Sequence, residues 1–185
     1  MSLEQFDIDL LRTINLDRIT ALDGVFVFIT NTAPIIAALT PICFLLYGVL
    51  AKRKDIRAFG YVIAASYLLS VIISNILKYA VARPRPFTMY PYIEKLSGGG
   101  SGSFPSGHTS DVFSIAMAVS LLFPKRSVII PMFLWAAIVG YSRMDLGVHY
   151  PSDVLGGAIV GAGSAMLFFW LSNRSNRNSS DISTG

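Results

Sequence analysis

Long stretches without a charged side chain are the feature that most restricts how this chain can fold. Residues 24–51, 58–77 and 154–173 contain no Asp, Glu, Lys, Arg or His. Each is as long as the roughly 20 residues that a helix needs to cross a membrane. Residues 127–142 are also free of charge, and residues 112–124 form a shorter run. A soluble protein with buried helices is the alternative, but five such runs leave too little polar surface to cover a globule.

The composition points the same way. Hydrophobic residues make up 53% of the chain and charged residues 14%, whereas soluble domains carry about 25% charged residues. We therefore predict an all-α, polytopic transmembrane helix bundle with five to six membrane helices plus a short N-terminal interfacial helix. The net charge of +4 does not indicate a nucleic-acid partner, because the basic residues lie between the apolar runs. The single cysteine, Cys43, excludes an intrachain disulfide and a thiolate metal site.

The N-terminal segment has the pattern of an amphipathic helix. Over residues 3–14, Leu3, Phe6, Leu10 and Leu11 recur at helical spacing with acidic residues between them. This pattern is typical of a helix that lies in the membrane interface, and a frayed terminus is the alternative. The same acidic residues stand where a cleavable signal peptide would be positively charged.

The next segment is long for one membrane span and too short for two. Pro34 follows the polar Asn31, and the residue before a proline avoids the helical region. We therefore predict a short helix near 20–31, which could be only half-inserted, and a full span near 33–51. The later spans are predicted at about 57–80, 107–123, 127–143 and 151–173.

Charge in the short links predicts the orientation. The links 52–57 and 124–126 are basic, and alternating spans put them on one side together with the basic start of the tail. The positive-inside rule makes that side cytoplasmic. We predict one integral-membrane domain over residues 1–173 and a disordered cytoplasmic tail over residues 174–185.

The same alternation brings the most polar parts of the chain to the opposite face. Three segments hold them, and both histidines of the chain fall within these segments. They are Lys78 with Arg85-Pro86, then Pro105-Ser106-Gly107-His108, then Ser142-Arg143 with His149 and Asp153. Ionic groups near a bilayer are retained mainly for function, so we expect these segments to form one site.

The first two segments carry the groups that bind an anion. The planar fork of Arg85 can hold two phosphate oxygens while Lys78 supplies a point charge, although a lysine in this place could simply reach the interface. Ser106 is a candidate N-cap, and a helix N-terminus offers free amides to an anion. Gly107 allows close backbone approach, and His108 would lie beside the bound group. A capped helix with an interfacial histidine is the alternative.

The third segment contains a histidine–carboxylate pair. His149 and Asp153 are four residues apart at the start of a predicted helix, so the carboxylate can reach one ring nitrogen. A nucleophile oriented by a carboxylate follows the logic of a catalytic triad. An acid that stabilises a helix N-terminus is the alternative, and Asp153 could do both.

Taken together, the three segments resemble the phosphatidic acid phosphatase type 2 superfamily, the lipid phosphate phosphatases, whose pattern is K-x6-R-P, P-S-G-H and S-R-x5-H-x3-D. The resemblance implies a catalytic His149 that forms a phosphohistidine, Asp153 to orient it, and His108 as acid and then base. It also implies no metal and no cofactor. The phosphate-binding residues that it implies are Lys78, Arg85, Ser106, Gly107 and Arg143.

Other polar and small residues lie outside this pattern. Arg83 could contact a second phosphate or headgroup, or be a solvated loop charge. Asp111 fits the first part of its helix and could tune the nearby histidine. The loop 87–104 has aromatic residues early and a Gly/Ser run late, so we predict a flexible flap at headgroup level. Gly157 and Gly161 are spaced for close helix packing.

We predict a metal-independent membrane phosphatase of a lipid phosphate or diphosphate. Its resemblance to bacterial enzymes favours undecaprenyl diphosphate as substrate, converted to undecaprenyl phosphate. A lipid A phosphatase, a phosphatidylglycerophosphate phosphatase, a lipid phosphotransferase and a non-catalytic lipid-binding protein are the alternatives. The expected location is the bacterial inner membrane, multi-pass, with the site facing the periplasm or exterior. The expected partners are lipids rather than nucleic acid, and we expect a monomer, with a homodimer as the alternative.

Overall fold

The structure, a computed structural model, describes residues 2–182, with side chains as far as residue 174. Every regular element in this range is helical, as the apolar runs predict. A 3-10 turn at Thr20–Leu22 precedes the second helix. The helices are α1 (Leu3–Leu16), α2 (Asp23–Leu50), α3 (Lys54–Val81), α4 (Pro86–Met89), α5 (Gly107–Leu122), α6 (Arg126–Asp145) and α7 (Pro151–Ile182).

Helix α5 is the centre of the bundle. It contacts α2, α3, α6 and α7, and its low amphipathicity fits a helix that is enclosed on most sides. Ile115 and Ala118 pack in one buried cluster with α2, α3 and α7, whereas Val112 and Ala116 pack in a second cluster with α2 and α6. The bundle is therefore built around the helix that begins at the Pro-Ser-Gly-His segment.

The outer helices carry the lipid-facing surface. The helical regions Thr20–Leu50, Lys54–Met89, Arg126–Asp145 and Pro151–Arg174 are long and apolar enough to cross a membrane. Large apolar side chains project outward from each of them, as expected for a bundle that faces hydrocarbon. Examples are Leu39, Leu68, Leu134 and Ile159, each at least half exposed. Helix α5 has 16 residues, about 24 Å at 1.5 Å per residue, and its partners surround it.

The predicted break between 20–31 and 33–51 is wrong, because α2 is one continuous helix from Asp23 to Leu50 with Pro34 and Pro41 inside it. A proline removes one backbone hydrogen bond, but it disfavours the helical state of its predecessor without forbidding it. Membrane helices tolerate this loss where neighbouring helices support them. Here Ala33 and Ala37 are fully buried in the clusters around α5.

Helix α1 forms as predicted and lies against the bundle. Its apolar residues Leu3, Phe6 and Leu10 are exposed, as an interfacial helix requires. Leu11 instead faces inward, into a buried cluster that includes Ile93 and Tyr150. Both partners lie near the end of the bundle at which the polar segments meet, so α1 shares that face.

The connections divide between the two ends as alternation of the spans requires. The links after α2 and α5 lie at one end, and α4 with its following loop and the link 146–150 lie at the other. Helix α7 continues to Ile182 and so overlaps the tail that we predict from residue 174. Residues 183–185 lie outside the described part. The division into a domain of residues 1–173 and a disordered tail stays a prediction.

Candidate active site

The three polar segments meet at one end of the bundle and line a single cavity of about 370 Å³. It lies where α3 ends, α5 begins and the link between α6 and α7 turns back. All of the predicted site residues border it except Ser106 and Asp153, which lie behind its wall. Its lining includes Lys78, Arg85, Gly107, His108, Arg143 and His149, together with Asn31 and residues 97–101.

His149 is fixed between an arginine and a carboxylate. Its Nε2 lies 3.3 Å from Nη1 of Arg85, and its Nδ1 lies 3.4 Å from Oδ2 of Asp153. The second distance is long, and Nδ1 does not meet hydrogen-bond geometry there. The ring is 2% exposed. Burial, the largest cause, lowers the pKa of His149 to about 4, with the charges of Arg85 and Arg143 acting in the same direction and Asp153 opposing them.

Asp153 is held from several sides in the first turn of α7. Its Oδ2 accepts hydrogen bonds from the hydroxyl of Ser103 and from the backbone N–H of Tyr150 at 2.9 Å, and its Oδ1 accepts one from Arg83 at 2.8 Å. The bond to Tyr150 is the reach of an N3 acid back to the N-cap amide, as in a capping box. The carboxylate of Asp153 therefore stabilises the start of α7 and also faces His149.

Lys78 and Arg85 use their donors on backbone carbonyls around the cavity. Lys78 Nζ donates to the carbonyls of Pro105 at 2.7 Å and Gly102 at 3.2 Å. Arg85 Nε donates to the carbonyl of Ser101 and Nη1 to that of Val148, both at 2.8 Å. These bonds fix two cationic heads at the cavity wall.

Arg143, in the last turn of α6, has a buried donor left over. Its Nη1 donates to the hydroxyl of Thr30 at 2.5 Å and to that of Ser97 at 3.3 Å, while Nη2 donates to the carbonyl of Gly98 at 3.3 Å. Its Nε makes no hydrogen bond within the described residues. A buried arginine donor without a protein partner is costly, and the residue itself borders the cavity, where an anion would offset its charge.

The Pro-Ser-Gly-His segment forms the start of α5, as predicted, with Ser106 at the N-cap position. Its hydroxyl makes no capping bond and instead accepts a hydrogen bond from the hydroxyl of Thr109 at 2.8 Å. The amide of Ser106 donates to the backbone carbonyl of Asp153 at 2.9 Å. This bond ties the second segment to the third, while Gly107 and His108 face the cavity.

The loop predicted as a flexible flap is tied down at many points. Sequence reasoning missed that its carbonyls meet the cations: that of Gly98 accepts from Arg143, that of Ser101 from Arg85 and that of Gly102 from Lys78. Farther along, the backbone N–H of Glu94 donates to Asn15 of α1 at 2.9 Å. The cations need acceptors and the Gly/Ser run can bring its carbonyls close, which holds the loop against the site.

Contact of Arg83 with a second phosphate or headgroup stays a prediction, and the residue lines a cavity of about 290 Å³ beside the main one. It does not line the main cavity and it is not a free loop charge: its guanidinium lies 3.8 Å from the ring centroid of Tyr150 and donates to Asp153 and to Asp7. In the sequence, the only hint of a special role for Arg83 is that Arg83-Pro84 repeats the Arg-Pro pair of Arg85-Pro86. Asp111 lines a second cavity of about 190 Å³ beside Lys78 and His108.

Among the described residues no group of three or more His, Cys, Asp or Glu side chains is arranged to hold a metal ion. The cavity instead brings together cations and an imidazole pair, with the carboxylate of Asp153 behind its wall, and this arrangement suits phosphate chemistry. Charge stabilisation and positioning supply most of the catalysis in phosphoryl transfer. The arrangement can therefore hold a phosphoryl group against Nε2 of His149.

Comparison with known proteins identifies the family. The sequence profile of the PAP2 superfamily matches residues 59–177. The chain belongs to the PAP2 superfamily. Among PAP2 relatives, the undecaprenyl-diphosphatase BcrC of Bacillus subtilis is 30% identical over 154 residues, which cover 83% of this chain and 77% of that protein. A lipid A 4'-phosphatase of Bacteroides thetaiotaomicron is 37% identical over 89 residues, which cover 48% of this chain and 40% of that protein.

A solved PAP2 structure has the same fold. The crystal structure of a transmembrane PAP2 type phosphatidylglycerolphosphate phosphatase from Bacillus subtilis matches with a TM-score of 0.75 and 25% identity, covering 93% of this chain and 87% of that one. These findings confirm the predicted family and all-α membrane fold. The chain is a multi-pass membrane phosphatase of the PAP2 superfamily that acts on lipid phosphates.

Proposed function

We propose that the enzyme hydrolyses a lipid diphosphate, with undecaprenyl diphosphate as the first choice, through a phosphohistidine at His149. The observation that carries this proposal is the setting of the imidazole. Nε2 is on the cavity side, 3.3 Å from Arg85, and Nδ1 faces Asp153 at 3.4 Å. A buried imidazole with a depressed pKa is neutral at physiological pH, and its unprotonated nitrogen can attack once the phosphoryl group takes the place of the bond from Arg85.

The proposed first step transfers the terminal phosphoryl group to the enzyme. The lone pair of His149 Nε2 attacks phosphorus, the bond from phosphorus to the bridging oxygen breaks, and His108 donates a proton to that oxygen. Lys78, Arg85 and Arg143 neutralise the charge on the transferred oxygens, because all three border the same cavity. The products are the lipid monophosphate and phosphohistidine, whose Nδ1 proton is stabilised by Asp153.

The proposed second step returns the enzyme to its starting state. Neutral His108 takes a proton from water, the water oxygen bonds to phosphorus, and the bond from phosphorus to Nε2 breaks. Inorganic phosphate leaves, and His108 keeps the proton that it took from water, so it is again the acid that the first step needs. The amides at the start of α5, next to Ser106 and Gly107, are placed to hold phosphoryl oxygens in both steps.

The choice of undecaprenyl diphosphate rests on the named activity of a relative and not on the extent of the match, since a lipid A phosphatase matches as much of the chain. The undecaprenyl-diphosphatase relative aligns over 83% of this chain. The lipid A and phosphatidylglycerolphosphate phosphatases share the family, so their headgroups are the competing substrates. The cavity of about 370 Å³ has room for a diphosphate headgroup.

A lipid panel with a nucleophile variant tests this function. Purified protein in detergent with chelator present is given undecaprenyl diphosphate, lipid A, phosphatidylglycerophosphate and phosphatidic acid, and phosphate release is measured. We expect the wild type to release phosphate fastest from undecaprenyl diphosphate and His149→Gln to release none. With substrate labelled in its terminal phosphate, only the wild type should carry an acid-labile phosphoryl label. Label passed to an added acceptor lipid would identify a phosphotransferase, and full activity of His149→Gln would reject the mechanism.

We propose that the site faces the periplasm or exterior of a bacterial inner membrane. The support is the basic character of residues 52–57 and 124–126 at the end opposite the site. A matched pair of exposed serines tests it in a Cys43→Ser background. Ser101→Cys should react with an impermeant thiol reagent in intact cells, whereas Ser127→Cys should react only after lysis; the reverse pattern would invert the orientation.

We further propose a monomer. Gly157 and Gly161 are the glycines that could serve a helix dimer, but both face α5 of the same chain, near Ser106 and Ser110. Light scattering of the detergent-purified protein should give one chain per particle. A particle of two chains would support the homodimer.

A further inference from the structure

The carboxylate behind His149 is held by a chain of charges that begins on the N-terminal helix. Arg83 donates from Nη1 to Oδ1 of Asp153 at 2.8 Å and from Nη2 to Oδ2 of Asp7 at 2.7 Å. Its guanidinium also covers the ring of Tyr150 at 3.8 Å. Arg83 is thus fixed between the carboxylates of Asp7 and Asp153, which lie 146 residues apart in the chain.

Asp7 also binds the helix turn that carries Asp153. Its Oδ1 accepts from the backbone N–H of Ser152 at 2.8 Å, and its Oδ2 accepts from the hydroxyl of Ser152 at 2.5 Å. Ser152 is the second residue of α7, directly before Asp153. One side chain of α1 therefore holds both the guanidinium that contacts Asp153 and the backbone next to it.

The burial of Asp7 is unusual for the helix on which it lies. Asp7 is 4% exposed, while its neighbour Phe6 is 49% exposed toward the lipid side. Burying a carboxylate is costly, and a buried ion pair often adds little net stability against an apolar alternative. A buried acid at this position is therefore better explained by what it orients than by what it contributes to folding.

We propose that Asp7 is a positioning residue for catalysis, which acts through Arg83 and Ser152 to keep the carboxylate of Asp153 directed at Nδ1 of His149. This inference rests on the proposed role of His149 as nucleophile. Because Asp7 belongs to the N-terminal half of α1, the catalytic pair is aligned only when this half of the interfacial helix is seated on the bundle. The seated helix leaves Leu3, Phe6 and Leu10 exposed, as expected for a helix at a membrane interface.

A positioning role and a merely structural role predict different kinetics. If Asp7 orients the pair, its loss leaves phosphate binding intact, because Asp7 does not line the main cavity. Misplacement of a catalytic group by a fraction of an ångström to 1 Å lowers turnover by up to about a hundredfold. If Asp7 only fastens α1, any variant that loosens α1 equally should have the same effect.

The structure offers a control for each reading. Asp9 lies on α1, where its side chain accepts a bond from exposed Gln5 alone, so Asp9→Asn removes a charge without touching the network. Asn15 fastens the other end of α1 through bonds to the carbonyls of Glu94 and Asp145. Asn15→Ala therefore loosens the helix while leaving Asp7, Arg83 and Asp153 in contact.

The experiment measures kcat, KM and thermal unfolding of full-length Asp7→Asn, Asp7→Glu, Asp9→Asn and Asn15→Ala on the substrate that the wild type hydrolyses fastest. We expect kcat of Asp7→Asn to fall about tenfold or more with KM little changed, partial rescue in Asp7→Glu, and wild-type kcat in Asp9→Asn. Asn15→Ala should lower the unfolding temperature at least as much as Asp7→Asn and keep most of kcat.

Two results would overturn the proposal: wild-type kcat in Asp7→Asn, or an equal loss of kcat in Asn15→Ala. A drop in Asp7→Asn that appears only in KM would also overturn it, because it would place Asp7 in substrate binding. Failure of the proposed function looks different. A wild-type protein that releases no phosphate from any of the four lipids would reject that function before the variants are compared.

Discussion

The guanidinium of Arg85 lies 3.3 Å from Nε2 of His149 and so determines which imidazole nitrogen carries the proton. An arginine can only donate, so Nε2 must be the unprotonated ring nitrogen and carry the lone pair. The ring proton is then on Nδ1, which faces the carboxylate of Asp153 at 3.4 Å. This is the tautomer that an attacking imidazole needs, and it is set before any substrate binds.

Replacing Arg85 by lysine should therefore harm turnover although the charge is retained. Lysine has no planar fork, so it cannot bond the carbonyls of Ser101 and Val148 while facing His149. We expect Arg85→Lys to lower kcat about a hundredfold, the cost of losing one donor to a developing anion. Phosphate release measures it.

Arg53→Lys is the matched control for this prediction. Arg53 is exposed at the other end of the bundle and, among the residues with described side chains, pairs only with Asp55. We expect wild-type activity there. If Arg85→Lys were as active as Arg53→Lys, the arginine fork would have no part in setting the imidazole.

The acid limb of the pH–rate profile should lie below the usual pKa range of histidine. Attack requires neutral His149, whose pKa is lowered to about 4 mainly by burial. Protonation inactivates the enzyme, so kcat/KM should hold from neutral pH down toward pH 5 and fall as the pH approaches 4. An alkaline limb is expected in kcat, because His108 must hold a proton in the substrate complex, where the bound phosphate favours its charged form.

The lowered pKa of His149 also makes the folded protein less stable at acidic pH. The unfolded chain binds a proton on His149 near pH 6.5, whereas the folded chain resists it, so the contribution of this group to stability falls as the pH drops below that value. Rates should be measured on protein that regains full activity at neutral pH. An acid limb near pH 6.5 in such reversible data would contradict a buried nucleophile.

The residues that do the chemistry were predictable because their chemistry is local in sequence. The four-residue spacing of His149 and Asp153, the two prolines around Arg85 and the helix start at Ser106 are short patterns. Alternation of apolar spans then brings them to one face. The structure places all of them around or directly behind one cavity.

Contacts between distant parts of the chain could not be read from such patterns. No spacing relates Asp7 to Arg83 or Asn15 to Glu94, and an acid between apolar residues on an interfacial helix looks like a solvated one. The break predicted at Pro34 fails for a related reason. Local preference disfavours a helix there, but packing of the neighbouring alanines against α5 outweighs that preference.

Gly99 tests whether the loop after α4 positions the arginine. A Cβ at Gly99 would lie 2.8 Å from Nη1 and 2.9 Å from Cζ of Arg85, so the guanidinium would have to move. We expect Gly99→Ala to lower kcat about tenfold. Gly100→Ala is the control, because nothing lies within 4 Å of its Cβ position. Equal activity of the two variants would show that the arginine adapts without loss.

Gly161 tests the close approach of α5 and α7 that seats Asp153 behind the cavity. A Cβ at Gly161 would lie 2.2 Å from the carbonyl oxygen of Ser110 and 2.8 Å from the amide of Ser114, which are backbone atoms that cannot turn aside. Gly161→Ala should therefore lower the free energy of unfolding by about 1–3 kcal/mol.

Gly163, two residues on, has open space at its Cβ position and is the control. There, alanine should be neutral or stabilise the helix by up to about 1 kcal/mol. Unfolding curves in one detergent compare them, and similar midpoints for the two variants would mean that α5 and α7 can separate freely.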